Sequence, residues 1–113
     1  MPKKNQLLAS PPYAVELALK RLGADIRIAR IRRSLTIEDM AQKIGTGPRA
    51  IASAEKGNPA TGIVVYLALL WALDLLIQME DVADPAKDAE GQTLALSREN
   101  SRARRSGEVD NDF

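Results

Sequence analysis

Residues 36–57 read TIEDMAQKIGTGPRAIASAEKG, and the rest of the chain is best read outward from them. Thr36 followed by Asp39 has the S/T-x-x-D/E form that opens a helix: the hydroxyl accepts from a free backbone N–H and the acid reaches back. Ile37, Met40, Ala41 and Ile44 then recur at i, i+3, i+4 and i+7 as one apolar stripe, with Glu38, Gln42 and Lys43 on the other side. Gly45 follows where the backbone needs a positive φ to leave the helix. Gly47-Pro48 opens a second helix, because a proline at the first helical position gives up only an N–H that would be unpaired there. Ile51 and Ala54, with Ala50 beside them, make its inward stripe, while Arg49, Ala52, Ser53 and Lys56 point outward. Gly57-Asn58-Pro59 stops it. The spacing predicts two short helices joined by a Gly-containing turn, a helix-turn-helix.

Helices this short, with so few large apolar groups, need a support. Upstream, Val15, Leu19, Leu22, Ile26 and Ala29 keep helical spacing and predict a helix from Pro12 to Arg33, opened by Ser10-Pro11-Pro12. Gly23 inside it costs roughly 1 kcal/mol relative to alanine. A kink, or a short preliminary helix ending there, is therefore the alternative to one continuous helix. Downstream, Ile63, Val64, Leu67, Leu70, Trp71 and Leu73 predict a fourth helix over Thr61 to Leu73, and Leu75 to Val82 a fifth. The expectation is an all-α, five-helix domain over residues 12–84. An arm, 1–11, precedes it and a largely flexible charged tail, 85–113, follows.

Arg30, Leu35-Thr36, Met40-Ala41, Ile44-Gly45, Ile51 and Glu55-Lys56-Gly57 together resemble the XRE or Cro/repressor type of helix-turn-helix protein. The likeness covers roughly Leu22 to Leu76. The longer run, with Gly57-Asn58-Pro59 and then Leu75-Leu76 and Asp81-Val82-Ala83-Asp84-Pro85, looks like HipB-type antitoxins, the DNA-binding partners of HipA-type toxin kinases. The resemblance implies a lambda-repressor-like fold in a two-fold dimer. It implies base-edge contacts from Gly47, Pro48, Arg49 and Ser53, with Thr46 in the same DNA-facing set. Thr36, Ile37, Lys56 and Asn58 would lie near phosphates. An ion pair between Arg30 and Glu55 would brace the first helix against the reading helix. Many relatives carry polar side chains where this chain has Gly47-Pro48, which makes Arg49 the main candidate reader.

Charge is distributed in the same sense. The 113 residues carry a net charge of +1, but Met1 to Lys56 holds 11 Lys or Arg against five Asp or Glu, and the remainder five against ten. A basic half on a small helical protein is the footprint of phosphate binding, although solvated helices are also rich in Lys and Arg. The chain has no Cys and no His, which removes disulfides, thiolate and imidazole chemistry and most zinc sites. No nucleophile–base pair, phosphate loop or metal set is visible, so neither an enzyme nor a cofactor is expected. Ile63 to Met79 is an apolar run whose only charge is Asp74; at 17 residues, with a cap-like Asn-Pro before it, it reads as a buried helix rather than a membrane span. A cytoplasmic protein is the expectation.

An apolar run of that kind is buried on more than one side. Either helices four and five pack on each other, or Tyr66, Leu69, Trp71, Leu76 and Met79 meet a second copy. The homodimer is the favoured expectation, and it would ask for an inverted-repeat operator. The tail from Ala86 on, in which Gln92 to Arg102 could form a weak helix using Leu94 and Leu96, has three readings: flexible chain, a segment that folds on a protein partner, or extra phosphate contacts from Arg102, Arg104 and Arg105. The expected function is a sequence-specific repressor that is also the antitoxin of a HipA-type toxin kinase. The alternatives are a stand-alone, phage-like regulator without a toxin, and a protein-interaction module that no longer reads DNA.

Overall fold

The computed structural model describes residues 5–111, and side-chain surroundings for residues 5–105. The chain divides into two compact units, Met1–Ile77 and Gln78–Phe113. Every regular element among the described residues is helical. None of these helices is long and apolar enough to cross a membrane.

The first unit holds α1 (Gln6–Ala9), α2 (Tyr13–Arg32), α3 (Ile37–Ile44), α4 (Pro48–Glu55) and α5 (Ile63–Ala72). Its core is Ile26 and Ala29 from α2, Met40 and Ala41 from α3, Ile51 and Ala54 from α4, and Tyr66, Leu69, Leu70, Ala72 and Leu73 from α5 and its end. Each of α2 to α5 buries, fully or in part, residues at i, i+3 or i+4 spacing, so four helix faces close on one another.

Gly23 does not break α2, which is continuous through it. It is instead the place where α2 touches the end of α4. A Cβ at Gly23 would overlap the carbonyl oxygen of Ala54 and stand 2.7 Å from that of Glu55 and 2.8 Å from the Gly57 nitrogen. Gly57 returns the contact: a Cβ there would lie 2.6 Å from the backbone of Leu19 and Lys20. Two missing side chains let two backbones meet.

α2 to α5 all end alike. Ser34, Gly45, Gly57 and Asp74 have positive φ of 56°, 79°, 69° and 59°. The following amide reaches back to close the turn in each case: Leu35 to Arg30, Thr46 to Ala41, Asn58 to Ser53 and Leu75 to Leu70, at 2.8–3.2 Å. This is the Schellman termination, with glycine at two of the four left-handed positions.

Two expected elements differ. The fifth helix, expected over Leu75 to Val82, is a 3-10 segment, Leu76–Asp81, with no buried residue. Six residues with nothing to bury do not repay the cost of an α-helical nucleus. The tail expected to be flexible carries a second 3-10 turn, Pro85–Lys87, and a long helix, α6 (Ala89–Asn111). Asp88 caps it, its Oδ1 accepting from the Gly91 amide at 3.0 Å, and the Gln92 side chain donates to the Pro85 carbonyl at 2.8 Å. Behind that cap lie Leu, Ala, Glu, Gln and Arg residues, all strong helix formers.

Candidate nucleic-acid interface

α3 is capped at its start by its own side chains, and both α3 and α4 end in turns that their own glycines make. Thr36 Oγ1 accepts from the Asp39 amide at 3.0 Å, and Asp39 Oδ2 accepts from the Thr36 amide at 2.9 Å, a reciprocal capping box. The hydrogen bonds from the Thr36 backbone and then its hydroxyl hold the Asp39 carboxyl below its ordinary pKa. Gly45 carries the turn, and Gly47 at the N-cap position of α4 leaves open space where a side chain would stand. On the far side, Lys43 Nζ donates to the Ala72 carbonyl at 3.1 Å, placing a cation on the C-terminal end of α5.

Arg30 and Glu55 form the strongest polar link in the unit. Arg30 Nε donates to Glu55 Oε2 at 2.7 Å and Nη2 to Oε1 at 3.0 Å, while Nη1 donates to the Leu35 carbonyl at 2.8 Å. Both residues are only 9% exposed. One guanidinium therefore ties the last turn of α2, the loop after it and the last turn of α4. Its hydrogen bonds to Glu55 raise the Arg30 pKa above its ordinary value. A planar five-donor group suits this three-way junction in a way a lysine ammonium does not.

With its underside held by buried Ile51 and Ala54, α4 offers its start and outer face to solvent. Gly47, Pro48, Arg49 and Lys56 are exposed, and Thr46 and Ser53 half-buried. Thr36 is exposed and Ile37 half-buried at the start of α3. Exposed Asn58 shapes the exit of α4: its Oδ1 accepts from the Ala60 amide at 2.9 Å and its carbonyl from the Tyr66 hydroxyl at 3.0 Å. Burial pushes the Tyr66 phenol above its usual pKa. Lys56 and Asn58 line an open cleft of about 490 Å³ together with Lys20 and Ser10. The sequence reading missed Lys20, whose ammonium lies 3.1 Å from Glu16; its inclusion depends on the close approach of α2 at Gly57, which no local pattern announces.

The residues named from sequence for a second copy divide. Tyr66 and Leu69 are 3% and 0% exposed and belong to the unit's own core, so they are not available to another chain. The reason is their register on α5, which turns them toward α2, α3 and α4 instead of outward. Trp71 is 55% exposed and Leu76 is also exposed, while Met79, half-buried, belongs to the Gln78–Phe113 unit. Ile63, Val64 and Trp71 lie on the outward face of α5, with half-buried Leu67 between them. Among the described residues no group of three or more His, Cys, Asp or Glu is placed to hold a metal ion. No protein-family model, curated protein or solved structure matches this chain.

Proposed function

We propose that this chain is a sequence-specific, DNA-binding transcriptional repressor in which α3 and α4 act as the helix-turn-helix and α4 enters the major groove. The observation that carries the reading is a helix held rigidly from below and left open in front. Ile51 and Ala54 are fully buried and Glu55 is clamped by Arg30, while Gly47, Pro48 and Arg49 stand free at its start. A reading helix needs that combination, because its N-terminal residues meet base edges while the scaffold sets its angle. Arg49 is the reader, with a fork that pairs with the O6 and N7 of guanine. Ser53 assists it. Thr36, Lys56 and Asn58 meet phosphates, and the small Gly47 and Pro48 let the helix start approach the duplex closely.

The protein acts as a homodimer through the apolar surface around Trp71 and Leu76, and its operator is an inverted repeat. The resemblance to HipB-type antitoxins extends the proposal: the same chain restrains a HipA-type kinase and represses their shared operon. The test is a mobility shift on the promoter upstream of the chain's own coding region, at two salt concentrations. A shift that weakens as salt rises supports the reading, and no shift at low salt overturns it. Inhibition of a kinase encoded by the neighbouring reading frame tests the antitoxin part. Its failure leaves a stand-alone repressor.

A further inference from the structure

Four of the five cations from Gly57 onward are arginines within eight residues of α6: Arg98, Arg102, Arg104 and Arg105. At about 100° per residue, Arg98, Arg102 and Arg105 fall within roughly 60° of arc, whereas Arg104 points well away from them. Ser97 and Ser101 flank them, and the five side chains line a shallow groove of about 240 Å³. All five are exposed.

Two features separate this stripe from an ordinary solvated helix. Solvated helices pair opposite charges at i, i+4, but here arginine follows arginine at i+4 and then i+3, an arrangement that opposes helix formation. Among the described residues, moreover, none of the three arginines is within ion-pair distance of a carboxylate. Lys87 of the same unit, by contrast, sits 2.7 Å from Asp81. A polyanion with regularly spaced charges would remove the repulsion. Arg98 to Arg105 spans about 10 Å of helix axis, close to three axial phosphate-to-phosphate steps on one DNA strand.

We infer that the Arg98–Arg102–Arg105 face of α6 is a second, sequence-independent phosphate-binding site that grips duplex DNA beside the operator. The inference rests on the DNA-binding reading of α4 and adds a site to it. The serines supply hydroxyl donors between the guanidinium groups, and the stripe contributes affinity without base selectivity.

The test compares the full chain with the R98Q/R102Q/R105Q variant on one operator duplex, measuring affinity from 50 to 200 mM salt by fluorescence anisotropy. Three lost phosphate contacts should lower the log–log salt slope by about 2.7, so the variant loses roughly 40-fold less affinity across that range than the wild type. The R98K/R102K/R105K variant, which keeps the charge, should retain the wild-type slope, and R104Q should barely change it. An unchanged slope in the glutamine variant overturns the α6 site while leaving the α4 reading intact, since the wild type still binds. Loss of binding to vesicles of mixed phosphatidylserine and phosphatidylcholine in that variant, with an unchanged DNA slope, overturns it in favour of a lipid surface. Failure of the wild type to bind duplex at 50 mM salt overturns both readings.

Discussion

Replacing Gly23 with alanine sets two effects of opposite sign against each other. Helix propensity alone predicts stabilisation of about 1 kcal/mol, because glycine in a helix interior is that much worse than alanine. Packing predicts the reverse. The new methyl would overlap the Ala54 carbonyl oxygen and press to 2.7 Å and 2.8 Å on the Glu55 oxygen and the Gly57 nitrogen. All three are backbone atoms at the end of α4, so no side chain can swing aside. α2 must instead back away by several tenths of an ångström, against the pull of the Arg30–Glu55 pair two turns further along. Overpacking of this kind costs typically 1–3 kcal/mol, and backbone-on-methyl contact belongs at the upper end. The net expectation is a loss of about 1–2 kcal/mol.

The assay is urea unfolding followed through Trp71, the chain's one tryptophan and a reporter within the first unit. With an m-value of about 1–2 kcal/mol/M, the midpoint should fall by roughly 0.5–2 M while m is unchanged. Exposed Ala24, one residue on, is the control. Ala24→Gly should cost about 1 kcal/mol from propensity alone. A rise in the midpoint for Gly23→Ala would refute the close approach of α2 to the end of α4.

Three further outcomes follow from the same geometry. Glu55→Ala leaves the Arg30 guanidinium buried without its partner and should destabilise by about 3–5 kcal/mol, whereas Arg30→Met with Glu55→Met should cost far less than the two single changes added together, in a double-mutant cycle. Ser34→Gly relieves a left-handed backbone at a residue with a side chain and should stabilise by roughly 1 kcal/mol by thermal melting; Gly45→Ala should lose a similar amount. Asp39 has a folded pKa below its unfolded value of 3.8, so its cap adds stability that is fully present above that pH and is lost as pH falls through the lower folded value. Asp39→Asn should therefore flatten that acid limb in a stability–pH series, and an unaltered limb would show that the capping box is not linked to protonation.

Local chemistry made α3 and α4 legible. Thr36 and Asp39, Gly45, Gly47-Pro48 and Gly57 each act within a few residues of themselves, so their pattern survives as sequence. The Arg30–Glu55 pair is 25 positions apart and no spacing rule reaches it; only the family resemblance points to it. Periodicity says which residues share a face but not whether anything covers that face. α2 carries a buried stripe through Ile26 and Ala29 and an exposed one through Tyr13, Leu17, Ile28 and Ile31. Val15, placed by its spacing on the buried stripe, is also exposed. On α5 the apolar residues run nearly all round, so burial of Tyr66 and Leu69 and exposure of Val64 and Trp71 depend on where three other helices lie. The role of Gly23 was illegible for a related reason: a missing side chain marks a close contact only once the second backbone is known.

Base reading by the start of α4 is decided by the affinity of Arg49→Ala for the operator and for a scrambled duplex of equal length at one salt concentration. The expected result is a loss of about 1–3 kcal/mol on the operator, confined to one base pair per half-site, with little change on the scrambled duplex. Equal weakening on both would make Arg49 a phosphate contact and contradict base reading.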